Sequence, residues 1–115
     1  MFATTEEINF YIRTTLRQWG MSHIPVVFKD QLHVKRAAGL YYPEEKKIEI
    51  AQKSLRCFSV FRYVLLHELA HALDHAERGT LWTTSGRCNY HGANFRKWCK
   101  KLGIPTGRFV PQSLS

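Results

Sequence analysis

Cysteine, acidic residues and long apolar runs are all scarce in this sequence, and each scarcity excludes a class of protein. Three cysteines occur, Cys57, Cys88 and Cys99. An odd count without a secretory signal argues against a disulfide scaffold, so they read as reduced thiols of a cytoplasmic protein. The stretch from Met1 to Glu7 has neither the basic start nor the apolar segment of a leader. No apolar run approaches the roughly 20 residues that cross a bilayer as a helix, so no membrane role is expected. Helix-turn-helix, zinc-finger and RNP patterns are missing too, which excludes base reading by those modules. From Arg78 to Ser115 there is not one Asp or Glu.

What remains is enough for one packed domain. The 115 residues are 44% hydrophobic and include three Trp, five Tyr and seven Phe, too apolar for a disordered chain. We expect a single domain over 1–115, monomeric, with its core at about 4–104 and a loosely held tail over 105–115. The formal net charge is +8 and is uneven: Arg78, Arg87, Arg96, Lys97, Lys100, Lys101 and Arg108 stand in the acid-free part. A one-sign field of this kind attracts polyanions. Arg87, Arg96, Lys97, Lys100 and Lys101 are therefore candidate phosphate contacts to a nucleic acid, weighed against a merely solvated basic face.

The pattern predicts an α+β fold. Thr4-x-x-Glu7 is a capping box opening a helix that puts Ile8, Tyr11, Ile12, Leu16 and Trp19 on one face, ended by Gly20. Residues 25–28, 33–42 and 47–50 read as strands of a small antiparallel or mixed sheet, the last alternating as if half in water. Gly39 reads as a bulge or a point of close approach. The region 40–51 is expected to offer a free edge to an extended peptide. A long apolar helix at about 59–76 is closed by Gly79, and a last helix over 92–102 is closed by Gly103. In that last helix Phe95, Trp98 and Leu102 should pack inward.

The chemistry lies in the long helix. Residues 67–71 read His-Glu-Leu-Ala-His inside an otherwise apolar run. His67 and His71 fall on one helical face, a turn apart, and can bind one metal ion. Glu68 sits about 100° round the helix, where a carboxylate can exchange protons with a reacting water. Without a metal, two His and one Glu in such a helix would cost several kcal/mol. A catalytic zinc takes three protein ligands, so a third is needed. His91 is the best placed, at the head of the next helix; His75, Cys88 and Glu77 are the alternatives. His75 lies about 80° off the His67 face in a regular helix, which leaves it as a surface or supporting histidine. Asp74 is seven residues beyond His67 and can either accept a hydrogen bond from a ligand imidazole, fixing its tautomer, or be a solvated acid. Tyr90, beside His91, is a candidate oxyanion donor, and Trp82 lies in a polar loop over 80–90.

His67-Glu68-Leu69-Ala70-His71, followed by His91-Gly92-Ala93-Asn94-Phe95, resembles the SprT-like (Spartan) metalloprotease family. Ala38-Gly39-Leu40-Tyr41-Tyr42, Ile48-Glu49-Ile50 and Leu102-Gly103-Ile104 fit the same pattern, so the resemblance spans about residues 5–105. The long loop from Ala76 to Tyr90 departs from it, and no zinc ribbon occurs within these residues. The resemblance implies a minimal zincin-like domain with one zinc ion on His67, His71 and His91, and Glu68 as general base. It further implies a protein substrate, bound or crosslinked to DNA. The rival expectation is a DNA-binding accessory protein whose zinc is structural and closed by a fourth ligand, Cys88 or His75.

Overall fold

Thr4 and Glu7 cap the first helix reciprocally. Thr4 Oγ1 accepts from the Glu7 backbone at 3.1 Å, and the Thr4 N–H donates to Glu7 Oε1 at 3.2 Å. The computed structural model, which describes residues 4–34, 37–79 and 91–105, runs α1 (Thr5–Gln18), β1 (Val26–Lys29), β2 (Gly39–Tyr42), β3 (Lys47–Ala51), a 3-10 turn over Gln52–Arg56, α2 (Phe58–Arg78) and α3 (Ala93–Leu102). Gly20, Gly79 and Gly103 all follow helices with φ between 72° and 76°, the left-handed conformation that ends a helix at little cost when the residue is glycine. The fold is α+β, three helices with one three-stranded sheet. No described helix is long and apolar enough to cross a membrane.

The sheet is mixed, in the order β1-β3-β2. β3 runs parallel to β1, with Val26 opposite Ile48, and antiparallel to β2, with Gly39 opposite Ile50 and Tyr42 opposite Lys47. Three expectations change here. β3 is central, so residues 47–51 cannot offer a free edge; β2 is the edge on this side. The second strand is Gly39–Tyr42, not 33–42: β3 turns into the 3-10 segment after Ala51, and the Ala37 N–H closes a turn onto Val34; residues 35–36 lie outside the described residues. Glu49 is not half in water: it is 8% exposed, under the Tyr42 hydroxyl, which donates to its Oε1 at 2.8 Å.

α2 is buried nearly all round, which explains its apolar sequence. Leu65, Leu69, Ile48, Ile50 and Phe61 are 0–1% exposed at its contact with the sheet. Phe28 and Tyr11 meet Phe61 from β1 and α1. Phe95 and Cys99 of α3 are fully buried, with Leu102 beside them and Trp98 half-buried against Trp19. The only way β2 can lie this close to α2 is through Gly39: a Cβ there would sit 2.6 Å from Val64 Cγ1 and 3.1 Å from Glu68 Cγ.

Two polar ties then fix α3 on α2. Asp74 is 0% exposed and accepts from Arg78 Nε at 2.6 Å, Arg78 Nη2 at 2.9 Å and Asn94 Nδ2 at 2.7 Å. It is therefore not a solvated acid; it is the buried clasp between α2 and the start of α3. Near it, Lys97 Nζ meets both Glu77 oxygens at 2.6 and 3.0 Å.

Gly39→Ala should lower stability by about 1–3 kcal/mol from overpacking, outweighing the roughly 0.4–1 kcal/mol that a Gly-to-Ala change gains by restricting the unfolded chain. The midpoint of urea denaturation reads the sign directly. Asp74→Ala removes the acceptor that Arg78 and Asn94 share and should cost about 2–3 kcal/mol. Asn94→Ala, which leaves the ion pair, should cost only about 1 kcal/mol by the same titration.

Candidate metal centre and active-site cleft

His67 and His71 are one turn apart on α2, and His91 comes back to them from just before the Gly92 cap of α3. The Asp74–Asn94 clasp explains the return, because it anchors α3 three residues after His91. One ligand atom from each of the three histidines lies within 4.8 Å of the others. The ring centroids are 4.9–5.6 Å apart. Phe95 closes the base: it stacks on His71 at 4.2 Å and meets His67 and His91 edge-on at 5.2 and 4.9 Å.

Burial sets the protonation of these groups. It pulls His67 down to about 4, helped by the charge of His91, and His71 down to about 2, helped by His67 and His91. Both are therefore neutral imidazoles at neutral pH, the form that binds metal. Nδ1 of His67 is buried with no hydrogen-bond partner among the described residues. Three converging imidazoles, with such an atom among them, fit a zinc ion. Glu68 is 7% exposed; burial pushes its carboxyl up to about 8, against a hydrogen bond from the Tyr41 backbone that favours the charged form. A divalent cation beside it would return it to the ionised form by the same rule.

The four side chains open into a cleft of about 410 Å³. Its facing wall is β2, from Gly39 to Tyr42, with His33 and Pro43 at the rim. The alternating pattern of an antiparallel pair accounts for the link between wall and site. Ala51 donates to the Ala38 carbonyl at 2.8 Å, so the polar backbone groups of Gly39 and Tyr41 face away from β3. The Tyr41 N–H is thereby aimed at Glu68.

His75 is not with the trio: its Nδ1 lies 2.9 Å from the Tyr41 hydroxyl, on the far side of that ring. Glu77 turns out to Lys97, which removes it as an acidic ligand. The same bond takes Lys97 from the basic ladder, leaving Arg96 and Lys100 exposed and Lys101 4.6 Å over the Trp98 ring. Tyr90, Arg87, Cys88 and Trp82, like tail residues 106–115, lie outside the described residues. Two participants were not foreseen. Phe95 was read as core, and its place one turn after His91 was the available signal. Tyr41 acts through its backbone, which no side-chain pattern records.

A family model described as the SprT-like family matches residues 5–113. No curated protein and no solved structure matches the chain. With the match covering nearly every residue, from the capped first helix past the last one, the chain belongs to the SprT-like family.

Proposed function

We propose that this protein is a zinc-dependent endopeptidase that cleaves proteins bound or crosslinked to DNA. Membership of the SprT-like family supports a metallopeptidase-type activity. The observation that carries the finer reading is the convergence of His67, His71 and His91 with the Glu68 carboxylate in one cleft against a strand edge.

A zinc ion held by the three imidazoles would polarise the scissile carbonyl and lower the pKa of water to about 7. Glu68 carries the proton. Its carboxylate takes one from the attacking water and delivers it to the departing nitrogen. The Tyr41 N–H keeps that carboxylate on the cleft side of α2 while the proton is away. An extended substrate would add to β2 as a further strand, meeting the outward carbonyls of Gly39 and Tyr41. Phe95 shields the inner face of the imidazoles from water. Arg96, Lys100 and Lys101 would hold the DNA phosphates, with Arg87.

The rival reading, an accessory DNA-binding protein with a closed structural zinc, needs a fourth protein ligand. His75 does not serve, being engaged by Tyr41 away from the trio. Among the described residues three histidines converge and no fourth ligand joins them.

Glu68→Gln should bind zinc in the same ratio as wild type by elemental analysis, and its cleavage of a DNA-bound basic protein should fall by about a hundredfold or more. Undiminished cleavage would remove Glu68 from its role. Replacing Arg96, Lys100 and Lys101 together by Ala should weaken single-stranded DNA binding and make the plot of log affinity against log salt shallower by about 2. An unchanged slope would clear this face of phosphate contact.

A further inference from the structure

The wall opposite the imidazoles holds a polar chain that the chemistry above leaves unused. It begins at Glu49, a carboxylate 8% exposed in the central strand of the sheet. Tyr42 donates its hydroxyl proton to Glu49 Oε1 at 2.8 Å, and Lys47 Nζ lies 3.4 Å from Oε2. The Tyr42 oxygen in turn lies 2.9 Å from Nδ1 of His33, an exposed residue at the rim of the cleft.

Donor accounting settles the direction of this chain. Burial raises the Glu49 carboxyl, but the Tyr42 hydroxyl and Lys47 outweigh it and hold the group below the usual range. An ionised carboxylate only accepts, so the one proton of Tyr42 is committed to it. Burial and the Glu49 charge push that phenol up to about 12, so it keeps the proton. The Tyr42 oxygen can then only accept from His33, and Nδ1 of His33 must carry a proton. A neutral imidazole protonated at Nδ1 has its lone pair at Nε2. Glu49 thus orients, through two hydrogen bonds, an acceptor at the mouth of the cleft.

The edge of β2 indicates what that acceptor meets. The outward N–H of Tyr41 is taken by Glu68, and Pro43 has none to give, so past the Gly39 N–H at its start the edge presents carbonyl acceptors at Gly39 and Tyr41. His33 adds a side-chain acceptor to the same cleft that this edge lines. We propose that His33 is a substrate-binding residue: its Nε2 accepts a hydrogen bond from a main-chain N–H of the bound polypeptide, with Tyr42 and Glu49 as positioning residues. The proposal rests on the endopeptidase reading of the same cleft.

The test uses fluorescently labelled casein, an unstructured polypeptide, with zinc-loaded protein. His33→Ala should raise KM about three- to tenfold, the worth of one neutral hydrogen bond, while kcat and zinc content stay at wild-type values. His33→Gln, whose amide oxygen can take the place of Nε2, should recover most of the loss. His33→Asn, which reaches only the Nδ1 position, should not. Tyr42→Phe, lacking the oxygen that orients His33, should raise KM alone. Anisotropy of the same casein on Glu68→Gln, with and without His33→Ala, reads binding independently of turnover. Failure of wild type to cleave any polypeptide would sink the endopeptidase reading, and the anisotropy pair would still decide on His33. Casein binding that is equal with and without His33, or absent in both, overturns its role, as does rescue by Asn in place of Gln.

Discussion

Four polar side chains are packed where an apolar helix meets an apolar sheet, and the rest of the molecule is arranged around that burial. His67, Glu68 and His71 lie on a helix whose other interior positions are Val, Leu, Ala and Tyr. Their surroundings drive the imidazoles to the neutral form and the carboxyl toward its protonated one. A bound cation would keep the imidazoles neutral by taking their lone pairs and would turn the carboxyl back to its ionised form. The site can thus hold an ion, and the desolvation that would burden an empty core is the same desolvation that tunes the histidines.

The second element of the design is closeness. Gly39 lets β2 approach α2 to a distance that no side chain permits, and that approach delivers the Tyr41 N–H to Glu68. On the other side, Asp74 and Asn94 hold α3 against α2, and Phe95 then stacks under His71. One strand edge and one helix start, each fixed by a single small or polar residue, therefore set both halves of the cleft. The Glu49–Tyr42–His33 chain adds a third polar feature to the strand side, carried outward from the centre of the sheet.

Much of this could be read in advance because the signals were local. The Thr4–Glu7 box, Gly79 and Gly103 mark helix ends through contacts within a turn, and the helices end where those residues stand. Gly39 was legible as a close approach because glycine inside a strand pattern has few other uses. What was misread depended on partners far along the chain. Glu49 looked exposed from its alternation with Ile48 and Ile50, but Tyr42 and Lys47 shelter it. His33, Val34 and Ala37 looked like strand, but the Ala37 N–H closes a turn onto the Val34 carbonyl instead of pairing with β3. Asp74 looked like a solvated acid or a histidine's partner, and its bonds to Arg78 and Asn94 show what it holds.

Local pattern is enough for the helix that bears His67, Glu68 and His71, because a 3.6-residue period places them relative to one another whatever surrounds them. The helix ends and the imbalance of charge are local in the same way. That His91 joins them while His75 and Glu77 do not came from the folded arrangement. It alone placed β3 in the middle of the sheet, made β2 the wall of the cleft and took Lys97 out of the basic ladder. Those outcomes rest on which residues meet after long stretches of chain have closed, and local periodicity carries no record of such meetings.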